Sequence, residues 1–105
     1  MGEIWTSGTW TVKEGMADTF VAAWRELAEW SAQKYPGGRA WLLHDREDPN
    51  VFLSVGPWTH EEAINEWRAS EGFGERVAQI REMLVSFKAR TLDEVACAPP
   101  LPRIP

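Results

Sequence analysis

Polar and apolar positions alternate at the start of the chain. Ile4, Thr6, Gly8, Trp10 and Val12 fall on one face and Trp5, Ser7, Thr9 and Thr11 on the other, a period of two in β-branched and aromatic types that predicts a strand. Lys13, Glu14 and Gly15 make a turn, and the period then changes. Met16, Phe20, Ala23, Trp24, Leu27 and Ser31 recur at helical spacing as far as Lys34, which predicts an amphipathic helix. Tyr35, Pro36, Gly37 and Gly38 end it. Arg39 to Asp45 and Val51 to Trp58 then read as a strand hairpin around the turn formers Asp48, Pro49 and Asn50. Thr59 and Glu62 have the spacing of a capping box, so a helix is expected from there through Trp67 to Ala69. Ser70, Glu71 and Gly72 interrupt it before Phe73, Val77, Ile80 and Leu84 lay down a further apolar stripe. Val85 to Val95 returns to alternation, with Phe87, Ala89 and Thr91 set against Ser86, Lys88 and Arg90.

The resulting order, β-α-β-β-α-α-β, predicts an α+β, ferredoxin-like domain: a four-stranded antiparallel sheet with its helices on one face. Residues 1–96 are assigned to this domain and 97–105 to an extended tail, because Ala98 to Pro105 contains four prolines that neither pair nor coil readily. The uncovered sheet face cannot be wet throughout. Trp5 must point there, together with either Trp41 and Leu43 or Leu42. Two copies stacked sheet to sheet would cover it and close a barrel, so a homodimer is expected.

Composition narrows the field. The 105 residues suffice for one domain with one modest core. A net charge of −5, with Lys and Arg scattered among acids, argues against nucleic acid as a partner. No apolar run approaches a membrane span, and the first ten residues lack a basic start and an apolar stretch, so a cytoplasmic location is expected. Cys97 is the single cysteine, and with His44 and His60 it makes no set at metal-ligand spacing. Neither a P-loop nor a G-x-G-x-x-G is present, so no metal and no other cofactor is expected. Tryptophan is the outlier, at seven residues. Each ring is large and its N–H needs an acceptor when buried, so this excess points to a pocket or a subunit interface.

The segment PGGRAWLLHDREDPNVFLSVGPWTHEEAINEWRASEGF, from Pro36 to Phe73, resembles the antibiotic biosynthesis monooxygenase family of the dimeric α/β barrel superfamily in its second strand, Asp-Pro hairpin, third strand ending in Trp58, acidic helix start and Trp67. TVKEGMADTFVAAWREL, from Thr11 to Leu27, is similar to the family's exit from its first strand into its first helix. The resemblance implies a homodimer with a cavity between the helices and the concave sheet face of each subunit. It also implies a cofactor-independent monooxygenase acting with dioxygen on a small aromatic, phenolic or quinol-like molecule. The alternative within the superfamily is a non-oxidative barrel that binds a small molecule, is stress-linked or acts as a polyketide cyclase. Trp67 stands where the resemblance places a pocket tryptophan. Haem-degrading relatives add a strand-one asparagine and a histidine, where this chain has Gly8 and Val77; anthrone oxygenases add an asparagine, where it has Ala63.

The candidate site follows from these readings. Trp67 is the first candidate for a catalytic position, with core packing as its other reading, and His44 is a general base or a structural histidine. Phe20, Trp24, Phe73 and Val77 on inward helix faces, with Trp10 and Phe52 from the strands, are the candidate substrate-binding wall. The glutamates of the helices read as solvated charges.

Overall fold

A computed structural model describes residues 3–36 and 38–100. Its elements are β1 (Ile4–Val12), α1 (Ala17–Lys34), β2 (Trp41–His44), β3 (Val51–Trp58), α2 (Glu61–Ala69), α3 (Glu71–Arg81) and β4 (Leu84–Asp93). The strands form one antiparallel sheet in the order β2-β3-β1-β4. This is the ferredoxin-like α+β arrangement. Of the expected tail, residues 97–100 carry no helix or strand and 101–105 lie outside the described residues. No helix among the described residues is long and apolar enough to cross a membrane.

Several boundaries differ from the sequence reading: β2 spans only Trp41–His44 of the expected Arg39 to Asp45, and β4 ends at Asp93 before the expected Val95. Thr59 does not cap α2: the helix starts at Glu61, His60 is the residue before it, and no side chain accepts a hydrogen bond there. The β3 strand runs to Trp58 and the extended His60 takes the N-cap position, so Thr59 stands one residue before the place from which a cap acts. The side chain that does cap is Ser70, whose Oγ accepts from the Phe73 N–H at 3.2 Å and starts α3 immediately after α2. Leu84, expected at the end of the last helical stripe, instead opens β4.

Gly15 closes the turn into α1 with a φ of +80°, a conformation that costs glycine little and other residues much. At the far end of β2, the Asp45 carboxylate accepts from the Glu47 and Asp48 N–H groups at 2.7 and 3.0 Å. These bonds hold its pKa below the usual carboxylate range and fix the turn from which β3 returns.

The core occupies one half of the sheet. Trp10, Val12, Phe52 and Leu84 from the strands pack with Phe20 and Leu27 of α1 and Val77 and Ile80 of α3. The opposite face is bare. Strand register puts Trp41 and Leu43 there beside Val55 and Leu53, and Trp5 between Pro57 and Leu92. Trp41, Leu43, Leu53 and Leu92 remain 39–50% exposed. Of the two orientations open for β2, the chain adopts the one with Trp41 and Leu43 outward and Leu42 inward.

Candidate functional site

The helix-facing side of the sheet can be read row by row from the strand register. One row is aromatic throughout: His44, Phe52, Trp10 and Phe87 across β2, β3, β1 and β4. His44 and Phe52 stack with ring centres 4.3 Å apart, and Trp10 and Phe87 at 4.1 Å. The next two rows contain Ser54, Gly8 and Ala89, then Gly56, Thr6 and Thr91. The row after that brings in Trp58 opposite Ile4. Side chains two residues apart on a strand are separated by roughly 7 Å, so over β3, β1 and β4 these small residues, bounded by Leu42 on β2 and by the bulky rows on either side, leave a hollow that α1 and α2 bridge rather than fill. It has a volume of about 400 Å³, within the range of small-molecule sites.

Aromatic rings wall the hollow. Trp10 and Phe87 stand on the core side, Trp24 of α1 lines it, and Trp58, Trp67 and Phe73 close the far side. Trp58 and Trp67 have ring centres 5.0 Å apart, and Trp67 and Phe73 4.5 Å. Tyr35 meets Trp58 edge-on at 5.8 Å. Gly8 forms part of the floor. A Cβ there would come within 2.9 Å of Ser54 Oγ and of Trp10 Nε1 and 3.0 Å of Phe87, so only glycine fits under the Trp10 ring.

Three indole N–H groups in this wall donate to hydroxyls: Trp10 to Ser54 at 2.9 Å, Trp58 to Thr6 at 3.1 Å and Trp67 to Ser31 at 2.8 Å. Ser31 in turn donates to the Leu27 carbonyl at 2.7 Å. The rings are thereby fixed and their donors satisfied, so that mostly apolar surface faces the hollow. Charged groups sit at its edges: Arg25 and Glu29 of α1 and Arg39 are exposed, while Arg68 of α2 is half-buried. Arg68 reaches across to β4, donating to Thr91 Oγ1 at 2.7 Å and the Arg90 carbonyl at 3.3 Å. Burial lowers its pKa from the ordinary guanidinium value. Among the described residues no group of three or more His, Cys, Asp or Glu side chains could hold a metal ion.

The structure distributes the sequence candidates unevenly. Trp10, Trp24, Trp67 and Phe73 line the hollow. Phe20, Phe52 and Val77 are buried in the core beside it and are not among its lining residues. His44 lies on the edge strand, exposed, with Nε2 2.9 Å from the Pro49 carbonyl. A carbonyl can only accept, so this nitrogen carries the proton and clasps the β2–β3 turn. His44 and Phe52 instead border a second depression between α1 and β2.

Sequence reasoning missed Trp58, Tyr35, Phe87, Arg68 and the hydroxyls of Thr6, Ser31 and Ser54. The strand residues carried a usable signal. Thr6 and Gly8 precede Trp10 on one face of β1, and Ser54 and Gly56 follow Phe52 on one face of β3; an inward face that turns from large to small marks a gap in packing. Arg68 and Tyr35 carried no such signal, since one lies on a polar helix surface and the other at a helix stop.

No curated protein sequence matches the chain. Solved structures share its fold. SnoaB, a cofactor-independent oxygenase from Streptomyces nogalater, superposes with a TM-score of 0.84 at 22% identity, over 95% of this chain and 100% of its own. An antibiotic biosynthesis monooxygenase candidate from Caulobacter crescentus gives 0.81 at 18% identity, over 90% of this chain and 92% of its own. One from Nitrosomonas europaea gives 0.77 at 17%, over 90% and 93%. At such identities the likeness is one of fold. The sequence carries the assignment further, because residues 6–79, from the first strand into the last helix and including most of the residues around the hollow, match the family model of antibiotic biosynthesis monooxygenases. The chain belongs to the antibiotic biosynthesis monooxygenase family.

Proposed function

We propose that this protein is a cofactor-independent monooxygenase whose substrate, a small phenolic or quinol-like aromatic molecule, lies in the hollow between Trp10 and Trp67. The observation that supports it is the site's make-up: aromatic walls in which the N–H groups of Trp10, Trp58 and Trp67 are already satisfied, around about 400 Å³. Such walls grip a flat ring and keep water from a reactive intermediate. The cofactor-independent oxygenase that shares the fold agrees with this reading. An electron-rich substrate, deprotonated, would pass an electron to dioxygen. For an anthrone the ring methylene becomes a carbonyl: one atom of dioxygen is bonded to the carbon, and the other leaves as water with the two methylene hydrogens.

The same proposal includes a homodimer. Trp5, Trp41, Leu43, Leu53 and Leu92 form an apolar face on the side of the sheet away from the helices, and a second copy would cover it. Oxygen uptake with an anthrone or a naphthoquinol, monitored with an electrode while the quinone product is followed by absorbance, tests the activity. Uptake in proportion to protein is expected. Saturable binding without oxygen uptake would replace the enzyme with a binding protein or a non-oxidative relative.

A further inference from the structure

Arg68 is the half-buried cation of the hollow, and both acceptors it has found are neutral: Thr91 Oγ1 and the Arg90 carbonyl. The one ion pair among the described residues joins Arg76 to Glu26, so no carboxylate neutralises Arg68. Its hydrogen bonds lie at the solvent edge of the hollow, and a partly desolvated guanidinium without a counter-charge favours an anion placed beside it. The direction of its pKa, lowered by burial, agrees.

The hydroxyls around Arg68 have the matching polarity. Thr6 and Thr91 face each other in the β1–β4 register. Each oxygen already accepts an N–H, from Trp58 at 3.1 Å and from Arg68 at 2.7 Å, which leaves each O–H free to donate. Thr6 lines the hollow and Thr91 is exposed just beyond its edge, so the donors sit at the open rim beside Arg68. The other ionisable groups at its border are Arg25 and Glu29 of α1, Arg39, and Tyr35, whose hydroxyl donates to Glu66 at 3.3 Å. Glu29, the one carboxylate among the lining residues, is exposed on the α1 rim.

We infer that Arg68, with the hydroxyls of Thr6 and Thr91, forms a subsite for one negatively charged oxygen, so that the cavity selects its aromatic ligand as the phenolate over the phenol. This rests on the aromatic-ligand reading above. The phenol O–H bond breaks heterolytically, the proton leaves to bulk water, and the lone pair remains on the oxygen that faces the guanidinium. Arg68 is thus a specificity residue, and it makes the bound ring more electron-rich without a dedicated base.

The test uses 7-hydroxycoumarin, whose phenol and phenolate absorb at different wavelengths, with 7-methoxycoumarin as the neutral control. Linkage makes each unit by which binding lowers the phenol's pKa a tenfold preference for phenolate. The full chain should lower it by about one unit, that is about tenfold. Arg68→Met should return it to its value in free solution and weaken phenolate binding about tenfold, leaving 7-methoxycoumarin binding unchanged. Arg68→Lys, which keeps the charge, should retain part of the shift, and it serves if Arg68→Met does not fold. A bound pKa at or above the free value, or a shift that persists in Arg68→Met, overturns the subsite. If 7-methoxycoumarin binds while 7-hydroxycoumarin shows no shift, the subsite alone fails. If neither molecule binds, the aromatic-ligand reading fails and the subsite with it.

Discussion

Replacing Trp67 with phenylalanine separates a ligand wall from a packing residue. The change removes the indole N–H that donates to Ser31 Oγ at 2.8 Å, a bond worth about 1 kcal/mol net. It also removes part of a half-buried ring that touches Trp58 and Phe73, at a further cost of about 1 kcal/mol. Ser31 is not left wanting, because its own proton still goes to the Leu27 carbonyl. The total of about 2 kcal/mol corresponds to a fall in thermal midpoint of roughly 8–16 °C for a domain of this size. If Trp67 forms the wall, a phenol or naphthoquinol titration followed by tryptophan emission should also weaken, by about fivefold for each 1 kcal/mol of lost contact. Ser31→Ala supplies the other half of a double-mutant cycle, and the two changes together should cost less than their sum by about 1 kcal/mol. A lowered midpoint with unchanged ligand affinity would refute the wall assignment and leave Trp67 as packing alone.

Gly8→Ala forces a Cβ within 2.9 Å of both Ser54 Oγ and Trp10 Nε1; chemical denaturation should show a loss of about 1–3 kcal/mol, and ligand titration a loss of binding, so a neutral variant would contradict the tight floor. Leu53→Glu places a charge on the bare apolar face. If that face joins two copies, light scattering should find the variant monomeric and circular dichroism should find it folded; a dimer that persists would locate the interface elsewhere. Asp45 has its folded pKa depressed by the N–H groups of Asp48 and Glu47, so its contribution to stability is present at neutral pH and is lost as pH falls through the usual carboxylate range to the lower folded value. Asp45→Asn should therefore be less stable than the parent at neutral pH and approach it in acid, and a difference independent of pH would argue against an electrostatic role.

The fold was legible because its strands and its first helix have clean periods. The nine-residue alternation of β1 and the stripe from Phe20 to Leu27 leave no competing assignment, and β3 runs over the residues its pattern predicts. The start of α2 was misplaced because a capping box is a spacing, while capping is a geometry, and with the helix starting at Glu61 the N-cap position falls to His60, one residue beyond Thr59. The site was less legible. Period identifies which residues face inward, and Phe20, Phe52 and Val77 do. It does not say which inward residues meet a partner and which meet a gap. That depends on register across strands far apart in sequence, which sets Gly8 beside Ser54 and Ala89 and Thr6 beside Gly56 and Thr91.

The tryptophan excess was the stronger clue, and the structure explains why it arises. Trp5 and Trp41 lie on the bare sheet face, and Trp30 packs on Gly72 and under the Arg76 guanidinium, 4.4 Å from its ring. The other four, Trp10, Trp24, Trp58 and Trp67, line the hollow. A large ring whose N–H is already bonded to a neutral acceptor presents an apolar wall, and for Trp10, Trp58 and Trp67 a strand or helix hydroxyl supplies that acceptor. Once Ser54 and Thr6 accept from Trp10 and Trp58, their own protons are left to donate. Satisfying the rings thus turns ordinary strand hydroxyls into donors beside the hollow. With Arg68 at the same end, the arrangement that fixes the apolar walls also sets the polarity of the ligand they can hold.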